Sequence, residues 1–224
     1  MHPTAKPLLG PRAAGVYALL LLVLAAGSAF AAAFSLVVAV SRDAADVSVH
    51  LSDRVRLDLN GRLDLPEGAT LLGGPIPVRL HVPDLPLGLR LVAQADDVLL
   101  YLSIAAGATA LALVLRAVRR GLPFARRNAR CLVAVAVAVV VGGGIAPVVG
   151  DHGAGLALNH LAGLDGQIVL AASSSLVLPA VLGIVILGIA EAFRRGAALT
   201  DDMADRTREP ASPAERGRKV GGDR

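Results

Sequence analysis

The chain has 224 residues, of which 54% are hydrophobic and 18% charged, with a net charge of +4; its mean hydropathy is +0.63. An ordinary soluble domain is about 45–50% apolar, and here the charges are gathered into blocks between long uncharged runs, which is the pattern of a membrane protein. Direct nucleic-acid binding is not expected, because the basic residues flank apolar runs and aromatics make up only 3% of the chain.

Residues 1–12 carry Lys6 and Arg12 and precede a first apolar run at 13–40. A cleaved signal peptide is one reading of this start, with small residues for cleavage at Ala31, Ala32 and Ala33. The apolar run continues through Phe34, Leu36, Val37, Val38 and Val40, well beyond a signal core of about 7–15 residues. An uncleaved signal anchor is therefore the favoured reading.

Residues 41–97 form the largest polar segment and are expected to be β-rich. Val47, Val49 and Leu51 alternate with polar residues, as do Val55, Leu57 and Leu59, and later Val78, Leu80 and Val82. Asn60 and Gly61 suggest a hairpin whose three-residue loop pairs Leu57 with Leu63 and Arg56 with Asp64. Such a small sheet needs support from the membrane surface, from residues 150–167 or from a second copy of the chain. His50 and His81 read as ordinary strand residues; pH sensing or metal binding is the alternative.

A second span is expected at 98–115, followed by a loop at 116–130 with Arg116, Arg119, Arg120, Arg126, Arg127 and Arg130 and no acid. Gly121 should end the preceding helix, and Pro123 should open a new one running through Phe124 into the third span at 131–149. Arg126 and Arg130 lie four apart on one helical face. Gly121, Pro123, Phe124, Arg126, Arg127, Asn128 and Arg130 are the candidate contacts for a partner or for lipid. Cys131, the single cysteine, excludes an internal disulfide and reads as small apolar filler at a helix end.

Residues 150–167 read as a glycine-rich loop, and Asp151, His152, His160 and Asp165 within it match no metal-ligand spacing. A fourth span is expected at 168–190, with Ser173, Ser174 and Ser175 near one end. Pro147 and Pro179 should kink their helices. Residues 191–224 read as a largely disordered tail. Sixteen of the 22 basic residues fall in 1–12, 116–130 and 191–224, so the positive-inside rule puts both ends and the 116–130 loop in the cytoplasm and residues 41–97 and 150–167 outside. The expected class is an all-α membrane protein with four spanning helices and a small β-rich extracytoplasmic segment between the first two.

Gly121-Leu122-Pro123-Phe124, then Asn128 and Leu132, together with Phe193, Gly196, Leu199 and the acidic pair Asp201-Asp202, resemble an uncharacterised bacterial membrane family catalogued as domain of unknown function 2975. The resemblance covers residues 98–207. The family pattern closes with an acidic stretch, Thr and a branched apolar residue, whereas Thr207 here is followed by Arg208. The resemblance implies a bacterial inner-membrane protein, often encoded beside a small helix-turn-helix regulator, and by analogy suggests such a regulator as its cytoplasmic partner.

The expected spans carry no Asp, Glu, Lys, Arg or His, which argues against an ion-coupled transporter. No nucleophile–base pair or metal set shares a common depth, so no enzyme, cofactor or metal is expected. The expected function is regulatory or sensory, acting with a cytoplasmic partner. The alternative is an accessory or structural subunit of a membrane transport or envelope complex. Besides the bilayer, the expected partners are the regulator and a second copy of the chain.

Overall fold

The computed structural model describes residues 10–51, 76–122, 124–160, 168–169 and 176–208. Helix α1 (Pro11–Ser41) leads to strand β1 (Ala45–Leu51). Strand β2 (Ile76–Val82) is followed by the short helix α2 (Leu87–Ala93) and the long helix α3 (Ala95–Arg119). Helix α4 (Arg126–Val140) passes through a π-helical segment (Val141–Ile145) into α5 (Ala146–His160). A two-residue strand β3 (Ile168–Val169) precedes α6 (Val177–Arg208).

Four helices are long and apolar enough to cross a membrane: Arg12–Ser41, Ala95–Arg119, Arg126–Asn159 and Val177–Thr200. Each has at least 24 residues, against roughly 20 needed for a hydrocarbon core of about 30 Å. Their side chains are sorted by size. On α1 the buried residues are Ala14, Ala18, Ala25, Ser28, Ala32, Ser35 and Ala39, most of them at the alternating three- and four-residue steps of a helix–helix seam. Phe30, Phe34, Leu19 and Val23 point outward and are exposed. Water would penalise that arrangement. Lipid does not, because packing of small residues rather than burial of large ones joins helices there.

The helices form a row: α1 lies along α3, α3 along α4, and α4 along α6. At one end, the sheet end, β1 pairs antiparallel with β2, setting Ala45 opposite Val82 and Val47 opposite Leu80. The order is β2-β1-β3, with β3 meeting His50 and Leu51 of β1. Two strands alone are marginal, and here Val47, Val82, Leu85, Ala154 and Ala157 form one core between the sheet and α5. The Leu85 N–H donates to the Asp43 carbonyl at 3.1 Å, beside Asp84 in a left-handed conformation (φ 55°) that Asp tolerates better than most residues.

Several boundaries differ from the sequence expectation. Residues 150–160 are helix, not loop; their glycines lower helix propensity, but Ala154 and Ala157 gain burial against the sheet, and tertiary packing overrides propensity. The fourth helix begins at Val177 rather than 168, because Ile168 and Val169 are taken by the sheet. Pro179 is thus the third residue of α6, where the missing N–H leaves no bond unmade, so it introduces no kink. Pro147 does disturb its helix: the π segment immediately precedes α5, with the Ala146 N–H donating five residues back to the Val141 carbonyl. Residues 87–93, within the expected β-rich segment, are helical.

The expected disordered tail is helical as far as Arg208. Glu191 accepts from Arg194 Nε at 2.6 Å and from Arg195 Nε at 2.8 Å, pairings at the spacing that supports a helix. The Asn60–Gly61 hairpin, Pro123, Asp165 and the serines at 173, 174 and 175 lie outside the described residues.

Candidate functional site

The arginine end is built around the turn from α3 to α4. Gly121 adopts φ +76°, and its N–H donates to the Val118 carbonyl while that of Leu122 donates to Ala117, both at 3.0 Å. This pair of bonds closes a Schellman motif, whose left-handed position favours glycine. The chain then passes Phe124 and enters α4 at Arg126, later than the expected start at Pro123. Asn128 fixes that entry. It is 1% exposed, and its Nδ2 donates to the Leu122 carbonyl at 3.1 Å.

Phe124 packs on Phe193 of α6, with ring centroids 5.6 Å apart and planes tilted by 45°. Gly196 makes that approach possible, since a Cβ there would sit 2.7 Å from Phe124 Cδ1. The two motifs that lie more than 60 residues apart in the sequence therefore form one contact between loop and last helix.

The six of the seven expected contact residues that are described (all but Pro123) thus divide. Gly121, Phe124 and Asn128 shape the turn, and a buried Asn128 presents nothing to a partner. Arg126, Arg127 and Arg130 are exposed and share the rim of a groove between α1, α3 and α4. Cys131 is half-buried against Val114, Leu132 and Ala190, as a filler would be.

The sheet end holds a cavity of about 300 Å³ that the sequence did not reveal. Its lining includes Asp46, Asp96, Asp97 and Asp151 as well as Arg42, Arg90, His81 and Gln94. Arg90 comes from α2 and is only 11% exposed in its side chain. Its Nη1 donates to the Arg42 carbonyl and, at 3.3 Å, to Asp43 Oδ1, while its Nε is buried without a partner among the described residues. Gln94 Nε2 donates to Asp97 Oδ2 at 3.1 Å. His81 Nδ1 donates to Asp46 Oδ1 at 2.7 Å across the two strands.

Asp96 lies so close to α5 that a Cβ on Gly150 would fall 2.7 Å from its Oδ2. Asp96 and Asp97 also occupy the first turn of α3, where the helix dipole favours negative charge. Gly142, Ala146 and Pro147, where the π-helical segment passes into α5, also line it.

Four carboxylates against two guanidinium groups leave the cavity acidic, suited to hydrogen bonding a small polar ligand with a positive group. Among the described residues no three of His, Cys, Asp or Glu come together as metal ligands. His152 is exposed on α5, and His160 closes that helix. The available signal in the sequence was the acidic pair Asp96-Asp97 directly before a long apolar run. No family model matches the chain, no curated protein is significantly similar to it, and no solved structure matches its fold.

Proposed function

We propose that this chain is a small multi-pass membrane sensor, with the sheet end outside and the arginine end and both termini in the cytoplasm. The orientation follows from the positive-inside bias of the loop and termini. One observation carries the sensory reading: the acidic cavity at the sheet end is lined by Gly142 of the π-helical segment and by Ala146 and Pro147, which follow it directly at the start of α5. A ligand held by Asp96 and Asp151 would touch this π-helical segment, whose second state in this reading is a regular α-helical pattern, and π-helical insertions of this kind recur at functional sites. A ligand that prefers one pattern shifts its population, and α4 carries that shift to the arginine end.

The output would be read there by a cytoplasmic partner, which the family resemblance alone suggests is a small helix-turn-helix regulator. The exposed residues Arg116, Arg119 and Arg120 at the end of α3, and Arg194, Arg195 and Asp202 on α6, are the surfaces offered to it.

The test is a crosslinking pull-down from native membranes through a tag after Arg208, with the wild type and with Asp96→Asn. Recovery of a small soluble DNA-binding protein, in an amount that changes in Asp96→Asn at equal membrane abundance, supports the proposal. Recovery of membrane proteins alone would contradict it and favour the accessory-subunit reading. That second reading has its own observation: in α6 only 11% of the most apolar window is buried, the least of the four, leaving a long face for a neighbouring membrane protein.

A further inference from the structure

We propose that the groove beneath Arg126, Arg127 and Arg130 is a seat for one anionic phospholipid of the leaflet at the arginine end. The groove has a volume of about 1100 Å³ and opens sideways from the helix row where α1, α3 and α4 meet. Leu22 and Ala29 of α1, Leu102 and Leu113 of α3, and Ala134 of α4 give it apolar walls. It exists because α1 rests on α3 through its small-residue seam and leaves the flank between α1 and α4 unfilled.

Length and charge select the occupant. From Leu102 to Leu113 the α3 wall is about 16 Å long at about 1.5 Å per residue, close to the ~15 Å depth of one leaflet of a ~30 Å hydrocarbon core. An acyl chain fits that wall along the bilayer normal. At its arginine end the groove is rimmed by three guanidinium groups, and among the described residues no Asp or Glu lines it. Guanidinium forks match phosphate oxygens in pairs, and basic pockets between helix ends suit anionic headgroups. The headgroup phosphate therefore meets the arginines while one acyl chain lies in the groove. A polar segment of this chain would leave the walls uncovered, and a helix from a second copy would bring no phosphate to Arg127 and Arg130. The seat does not depend on the sensory reading.

The experiment uses the full-length protein, delipidated in a neutral detergent and titrated with dioleoyl-phosphatidylglycerol or dioleoyl-phosphatidylcholine. Native mass spectrometry and the thermal midpoint give the two readouts. The expected result is one retained phosphatidylglycerol per protomer and a higher thermal midpoint. The preference over phosphatidylcholine should be roughly 100-fold for three arginines at a headgroup.

In the R126Q/R127Q/R130Q variant the preference should fall to near unity. In R116Q/R119Q/R120Q, which removes the same charge from the same end but outside the groove, it should persist. Equal binding of both lipids, or equal loss in both variants, would overturn the seat in favour of bulk attraction. A dimer that excludes phosphatidylglycerol would overturn it in favour of a second copy.

Discussion

The two ends of the helix row handle charge in opposite ways. At the sheet end, both signs are folded together around a small cavity, and the pairs join residues far apart in the chain: Arg90 reaches back to Arg42 and Asp43, and His81 to Asp46. At the arginine end one sign prevails, and the turn is ordered by close neighbours, Leu122 bonding to Ala117 and Asn128 to Leu122, and then braced against α6 by the Phe124–Phe193 contact. The sheet end is therefore a tertiary construction that stands or falls as a unit. The arginine end is a locally specified turn, with its charge left exposed.

Substitutions can break this contrast. The largest effect is expected from Val82→Asp. Val82 is 0% exposed in the core between sheet and α5, and an unpaired carboxylate there should cost about 3–5 kcal/mol. Limited proteolysis should then open the sheet end while the turn at Gly121 stays protected. Simultaneous opening of both ends would show that they are one cooperative unit.

Asn128→Ala should cost about 1–3 kcal/mol, since it removes the side-chain donor to Leu122 from a buried site. The loss should appear as faster proteolysis at residues 121–125, with the sheet end unchanged. Gly121→Ala should cost about 1 kcal/mol by forcing a side chain into a left-handed position, measured as a lowered thermal midpoint. Asp46→Asn is expected to change stability by about 1 kcal/mol or less, because its partner His81 and its own carboxylate are more than half exposed. A larger change in thermal midpoint would mean that the strand-to-strand pair holds the cavity together.

The same contrast explains what the sequence made legible. Length, apolarity and the arginine count were enough for the first two helices, and Gly121 was readable as a helix end because its role is local. The alternation of Val47, Val49 and Leu51 and of Val78, Leu80 and Val82 likewise marked both strands by side-chain period, whereas their pairing, Val47 opposite Leu80, was not read from it. The cavity was not legible, because Arg90, Asp96 and Asp151 meet only after the fold brings α2, α3 and α5 together.

Helix α5 was missed because its glycines argue for a loop, and only burial of Ala154 and Ala157 against the sheet reverses that. The start of α6 was placed too early because Ile168 and Val169 continue the apolar run while serving as a strand. Of the seven candidate contacts, the three arginines kept an exposed role at the groove rim. Asn128 looked like a surface residue by type, and only its hydrogen bond to Leu122 shows why it is buried.

Cysteine labelling decides whether the two ends lie in different compartments. On a Cys131→Ala background, Asp43→Cys places one thiol at the sheet end and Arg120→Cys one at the arginine end, both at exposed positions. A membrane-impermeant maleimide applied to intact cells or spheroplasts should label Asp43→Cys at once and Arg120→Cys only after permeabilisation. Labelling of both from the outside would put the two ends on one side of the membrane, and labelling of Arg120→Cys alone would reverse the orientation; either result rules out the proposed topology.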